Sequence, residues 1–224
     1  MDSMNPGRVF KILSAALLAC AALAAAQPAG NPARVPDVDF VPTPHKVVRE
    51  ILRLAKVRKD DVVYDLGCGD GRIVIAAARS AGARAVGFEI DPDLVEDARL
   101  NAEKEKVSHL VTIEERDIFT LDLSSATVVT LYLLPEINEK LVPQLMKLRP
   151  GARIVSHDFG IEGYRPDVTT TVYQYDGKVS SVHLWTAPLR KATDYFTLDC
   201  RRPWRPAAPK KFYNSSGNAG VAQR

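Results

Sequence analysis

Cysteine is scarce in this chain. Three occur in 224 residues, Cys20, Cys68 and Cys200, and no two are spaced as Cys-x-x-Cys. That excludes a disulfide framework, and without paired histidines there is no metal-ligand pattern either. A charge excess is also missing. Thirty basic residues face 27 acidic ones, and a net charge of +3 is too mild to argue for a nucleic-acid partner. What remains, 46% hydrophobic and 25% charged, fits one globular domain with extensions.

The first extension is an address. Arg8 and Lys11 form a basic start, and Ile12 to Ala26 is apolar and alanine-rich. Ala24-Ala25-Ala26 before Gln27 supplies a small-x-small cleavage site, so residues 1–26 read as a secretory signal peptide. The alternative is an uncleaved membrane anchor over residues 9–26. Basic residues on its N-terminal side place the protein's body outside the cytoplasm in both cases, periplasmic or secreted. A lipoprotein reading through Leu17-Leu18-Ala19-Cys20 is weaker, because the apolar run before the cysteine is short.

Residues 27–39 are a linker rich in Pro, Ala and Gly. In Phe40-Val41-Pro42-Thr43-Pro44 two prolines bar a helix until Pro44, and Thr43 is placed to cap the helix after it. His45 to Ala55 then reads as an amphipathic helix with Val47, Val48, Ile51, Leu52 and Ala55 on one face.

From there strands and helices alternate. Strands are expected at Val62 onward, Ala85–Ile90, Leu110–Glu114, Ala126–Leu133 and Arg153–His157. Helices are expected at Ile73–Ser80, from Asp91-Pro92 to about Lys106, and over Pro135–Lys147. This order predicts an α/β fold, a Rossmann-like doubly wound, mostly parallel sheet. Asp176-Gly177-Lys178 between two β-rich runs predicts a β-hairpin, Val168–Tyr175 with Val179–Trp185, closing the sheet antiparallel. The domain is thus expected over 40–187. Residues 188–224 read as a basic tail, for which simple solvation outweighs docking.

The most informative segment is Val62-Val63-Tyr64-Asp65-Leu66-Gly67-Cys68-Gly69-Asp70-Gly71-Arg72. A strand runs into a glycine turn, and a helix comes next. Such a turn lets a ligand lie against bare backbone at a strand's carboxyl end. A dinucleotide would place its pyrophosphate at this helix N-terminus, where Asp65 is a like charge. Arg72 also stands where the dinucleotide fingerprint has its third glycine. S-adenosylmethionine (SAM) carries an ammonium and a sulfonium instead, which a carboxylate favours. Two further acids end the next strands. Glu89 is placed to accept ribose hydroxyls and Asp117 the adenine amino group, with Ile118 against the ring. Asp91 fits a helix-cap role better.

Residues 40–187 resemble the class I SAM-dependent methyltransferases, whose first motif looks like Asp65-Leu66-Gly67-Cys68-Gly69-Asp70-Gly71. Phe40-Val41-Pro42-Thr43-Pro44, the glycine turn and Leu131-Tyr132-Leu133-Leu134-Pro135 are similar to the mitochondrial lysine methyltransferases that modify the ATP synthase c-subunit or the adenine nucleotide translocase, and to their bacterial relatives. Leu131 to His157 also resembles non-SET histone-lysine methyltransferases. The resemblance implies SAM as cofactor and a protein-lysine acceptor. By position, Asp65, Gly67, Gly69 and Gly71 hold the methionine end, Glu89 the ribose and Asp117 the adenine, while Thr43 closes over the methionine carboxylate. Tyr132 becomes the candidate catalytic residue, orienting the acceptor amine. Asn138 and His157 are weaker candidates, His157 being more readily a structural histidine. Cys68 departs from the serine frequent in the lysine-methylating relatives. Two alternatives stay open: a small-molecule methyltransferase, and an exported non-catalytic binding protein on this scaffold. No feature of the pattern specifies an oligomeric state.

Overall fold

The computed structural model describes residues 40–193, 212–213 and 219–220. The leader, the linker and most of the basic tail lie outside the described residues. A compact unit begins at Phe40.

Helix α1 spans His45–Ala55 and buries the five residues that the 3.6-residue period places on one face. Its N-cap is Pro44, with no side-chain cap, so Thr43 does not take the capping role expected of it. Strand β1 (Val62–Leu66) leads into the turn, and α2 (Arg72–Ala81) follows. Gly82 ends α2 in the left-handed region. Then come β2 (Arg84–Glu89) and α3 (Pro92–Lys104). Asp91 caps α3, its side chain accepting the Asp93 amide at 2.9 Å, with Pro92 at the first helical position. Strand β3 (Val111–Glu115) precedes a 3-10 turn at Ile118–Thr120, and β4 (Val128–Leu131), α4 (Pro135–Leu145) and β5 (Arg153–His157) follow.

The hairpin β6 (Val168–Tyr173) and β7 (Val179–Thr186) completes a seven-stranded sheet of order β3-β2-β1-β4-β5-β7-β6. All pairings from β3 to β5 are parallel, and β7 is antiparallel to both β5 and β6. This is the expected doubly wound sheet with an antiparallel closure. Successive strands are laid down outward in opposite directions from the neighbouring β1 and β4, so the carboxyl ends of these two strands border the crevice where open α/β sheets bind ligands.

Besides the Thr43 cap, two expected strand bounds needed correction. β4 stops at Leu131 instead of Leu133. Its neighbour β1 ends opposite it at Leu66, and the next amides, Gly67 and Cys68, turn away to the Phe88 carbonyl at 2.9 and 3.0 Å. Residues 132 and 133 thus have no β1 partner and are free to line the crevice. The hairpin loop is also longer than expected. Pairing ends at Tyr173 and Val179, and the Gln174 amide closes the loop on the Lys178 carbonyl at 2.9 Å.

Packing continues past Ala187. Leu189 is buried, and Lys191 bridges to Tyr164. Further along, β8 (Phe212–Tyr213) pairs antiparallel with β9 (Ala219–Gly220).

At the sheet's opposite end, Arg153 joins Asp61 and the Ala55 carbonyl, and Thr127 donates to Asp61 at 2.7 Å. Burial alone would raise the Asp61 pKa. The hydrogen bonds from Thr127, Arg153 and the Arg58 amide outweigh it and hold that carboxyl below its ordinary value.

Candidate functional site

Between β1 and α2 the backbone enters the left-handed region three times, at Gly67 (φ 76°), Gly69 (φ 52°) and Gly71 (φ 78°). Residues with a Cβ rarely adopt this conformation. Space reinforces the requirement. A Cβ on Gly69 would sit 2.1 Å from the Phe40 ring, and one on Gly67 would meet Leu133 at 3.0 Å. The turn is therefore covered on one side by Phe40 and flanked by Leu133, with bare backbone between.

Asp65, next to last in β1, is almost without solvent contact, at 2% exposure. Its Oδ1 accepts the Thr130 hydroxyl at 2.6 Å, across the β1–β4 register that pairs these two residues. Burial pushes its pKa to about 7, with the charges of Glu89 and Asp70 adding to the rise and Thr130 opposing it. Among the described residues, this buried acid has one neutral donor and two like charges nearby, and it is short of positive charge. A cationic ligand would supply it.

Glu89, at the end of β2, is held by three backbone amides. Gly69 donates to Oε2 at 2.8 Å; Ile90 and Asp91 donate to Oε1 at 2.8 and 3.1 Å. A carboxylate offers about four acceptor sites, so roughly one remains, on Oε2. Glu89 thus orders the turn and keeps a directed acceptor. After β3, Asp117 accepts the Phe119 amide at 2.9 Å and begins the 3-10 turn. The Arg116 amide donates to the Glu89 carbonyl at 2.8 Å, which ties this corner to the end of β2. Gln144 donates to the Ile118 carbonyl at 3.0 Å and anchors the same corner to α4. Asp65, Glu89 and Asp117 thus lie at or just past the carboxyl ends of three neighbouring strands, at one end of the sheet.

Across the crevice, Tyr132 follows β4. Its ring lies 3.9 Å, centroid to centroid, from His157, and runs nearly parallel to Phe159 at 6.2 Å. Burial and the charge of Asp158 raise the Tyr132 pKa, so it stays a phenol through the neutral range. His157 is buried, and burial lowers its pKa against the opposing pull of Asp158. Its Nδ1 lies 3.3 Å from the Thr43 hydroxyl; its Nε2 lies 3.1 Å from Ser180 and 3.3 Å from Asp158. Both ring nitrogens are engaged, which fits a structural histidine supporting Tyr132 better than a free base. Asn138, fully buried at the start of α4, donates to the Gly160 carbonyl at 3.1 Å and the Leu133 carbonyl at 3.4 Å. It thereby ties the segment after β4 to the segment after β5, while its Oδ1 has no hydrogen-bond partner among the described residues.

Thr43 is buried, and it meets the site in two ways besides its hydroxyl's contact with His157. Its carbonyl accepts Arg72 Nη1 at 2.7 Å, and it lies three residues after Phe40, which covers Gly69. Sequence reasoning passed over Thr130, His157's support of Tyr132 and Arg72's hold on Thr43. The first could have been found by registering β1 against β4; the others join segments far apart in the chain.

The sheet order, the glycine turn and the acids beyond it define a class I SAM-dependent methyltransferase. A family profile described as ANTKMT methyltransferase domain matches residues 65–168. A protein-lysine N-methyltransferase of Saccharolobus islandicus is 48% identical over 152 residues, 63% of this chain and 94% of that protein. The chain therefore belongs to the methyltransferase family that includes this archaeal enzyme. The Mus musculus adenine nucleotide translocase lysine N-methyltransferase is 34% identical over 64% of this chain and 66% of its own length. Among solved structures, an RNA methyltransferase from Salinibacter ruber in complex with S-adenosyl-L-homocysteine is 54% identical. It superposes with a TM-score of 0.62 over 66% of this chain and 94% of the other. The protein is an enzyme, and its cofactor is SAM.

Proposed function

We propose that the protein transfers a methyl group from SAM to the side-chain amine of a lysine in a protein substrate. The observation that carries the cofactor half is the fit between site and ligand charge. Asp65 is a buried acid short of positive charge, at a glycine turn where a Cβ would collide. Asp65, Gly67, Gly69 and Gly71 hold the methionine end, Glu89 the ribose, and Asp117 with Ile118 the adenine. Thr43 contributes from the covering segment. Bound SAM supplies an electrophilic methyl group on its sulfonium.

The acceptor half rests on the named relatives and on the mouth after β4. Tyr132, Leu134 and Phe159 offer aromatic and apolar surface beside the buried Leu133, and neither 132–135 nor 158–160 contains Lys or Arg. A phosphate backbone finds no countercharge in these two segments, whereas an amine on an alkyl stem fits them. Tyr132, held as a phenol, orients the amine through its hydroxyl. Leu133 and Pro135 exclude water, and alignment of the amine accounts for the rate. Asp158, whose charge raises the Tyr132 pKa, draws the lysine in as its ammonium. The ammonium releases its proton to solvent before attack, and the neutral amine's lone pair then takes the methyl group while S-adenosylhomocysteine leaves.

Transfer of labelled methyl from SAM into a cell extract tests this reading, with protease, RNase and small-molecule fractions counted separately. Label in protein, recovered as N-methylated lysine, is expected. Label confined to RNA would instead give this protein the acceptor named for the Salinibacter ruber enzyme, and label only in small molecules would remove the macromolecular acceptor.

For localisation we propose export through the N-terminal leader. Cell fractionation with an antibody should find the shortened protein outside the cytoplasm; a full-length cytosolic protein would overturn that proposal.

A further inference from the structure

Arg72 is the first residue of α2, where the helix macrodipole disfavours a cation. Each of its three guanidinium nitrogens is nonetheless engaged. Nε and Nη2 grip Asp70 at 2.8 and 2.5 Å, and Nη1 donates to the Thr43 carbonyl at 2.7 Å. One planar fork therefore spans the glycine turn and the segment Phe40–Pro44. That segment rests on the turn at one end, through the Phe40 ring over Gly69. At the other end the Thr43 hydroxyl meets His157, and His157 packs against Tyr132. The cofactor turn and the acceptor wall are joined by an unbroken series of contacts: Arg72, Thr43, His157, Tyr132.

We propose that Arg72 is a positioning residue that latches Phe40–Pro44 over the turn and, through Thr43 and His157, sets Tyr132 for transfer. This inference rests on the SAM site proposed above. Lysine cannot replace the fork, because an ammonium is a point charge without the planar pair of donors that holds a carboxylate while a third bond reaches Thr43. Prolines at 42 and 44 stiffen the segment, so a displacement at Thr43 moves it as a piece.

The test is a double-mutant cycle on the full chain, with Arg72→Lys and Thr43→Val. Val keeps the shape and backbone of Thr43 and removes only its hydroxyl. Each single change should lower kcat about fivefold in a chain that still folds, with Thr43→Val giving up some melting temperature because it leaves the buried His157 Nδ1 without its partner, and the double variant should lose no more kcat than the worse single. Additive losses, or unchanged kcat in both singles, would overturn the latch. Should Arg72→Lys not fold, hydrogen exchange on the wild-type chain decides. S-adenosylhomocysteine should slow exchange of the Val41, Thr43 and His45 amides, and unchanged exchange there would also overturn it. Calorimetric binding of S-adenosylhomocysteine to the same wild-type sample separates the two failures. Binding without protection sinks the latch alone, whereas no binding sinks the site on which it rests.

Discussion

The Gly69 amide donates to Glu89 Oε2 at 2.8 Å, so the acid that ends β2 holds the middle of the turn that follows β1. Two neighbouring strands thereby share one ordering device. It presets the turn before any ligand arrives, which reduces the ordering cost of binding.

Glu89→Gln should destabilise the fold. The carboxylate accepts amides on both oxygens, and an amide side chain must turn its own NH2 toward one of those donors. An unpaired buried donor costs about 1–3 kcal/mol. Urea denaturation should show a loss of that size, and an unchanged midpoint would mean that the three amide contacts contribute nothing.

Asp65 makes cofactor binding depend on pH. Its pKa in the free protein is about 7, above the ordinary carboxyl value of 3.8. The folded protein therefore binds this proton more tightly than the unfolded chain does. The associated stability is complete below about pH 4 and is lost as pH rises through about 7. A cationic ligand favours the ionised acid and displaces the proton. Affinity for SAM should therefore rise from pH 5.5 to 7.5 and level off above, with proton release visible in buffers of different ionisation enthalpy. Asp65→Asn should bind weakly without that slope. A wild-type affinity that is flat across this range would contradict the charge assigned to Asp65.

Cys68 should be chemically inert. Burial pushes its thiol well above the ordinary value, and the charges of Asp65 and Glu89 push further. Its sulfur also lies where a Cβ on Gly87 would come within 2.6 Å, so the buried side chain is packed against the backbone of β2. Iodoacetamide at pH 8 should leave Cys68 unmodified in the folded protein and alkylate it in urea, as read by peptide mass spectrometry.

Tyr132→Phe removes the hydroxyl and keeps the ring against His157 and Phe159. The melting temperature should stay within about 2 °C of wild type, consistent with a change that leaves packing intact. The value of kcat should fall about tenfold or more, while SAM affinity holds. An unchanged kcat would reduce Tyr132 to a packing residue.

Local chemistry explains what was legible in the sequence. His45–Ala55, the Asp91-Pro92 helix start and the Gly67–Gly71 turn are each written within a few residues, and all three stand in the structure. Asp65, Glu89 and Asp117 could be placed together because each lies at or just past the carboxyl end of a strand, and in a parallel sheet those ends share one edge. Where β4 stops was not legible, because that depends on Gly67 and Cys68 bonding to Phe88 on another strand. The same applies to Thr43. Its local sequence suggests a cap, but its hydroxyl finds a histidine 114 residues away. Arg72 reads locally as a departure from a glycine fingerprint, and only the folded chain shows what its fork holds.

Titration of S-adenosylhomocysteine into wild-type protein and Glu89→Ala, by calorimetry at pH 7.5, tests the account most directly. Wild type should bind in the micromolar range, and Glu89→Ala at least about tenfold more weakly, the loss expected for a charged hydrogen-bond partner. A wild-type protein that is folded and gives no binding would contradict a cofactor site made of the glycine turn and its three acids.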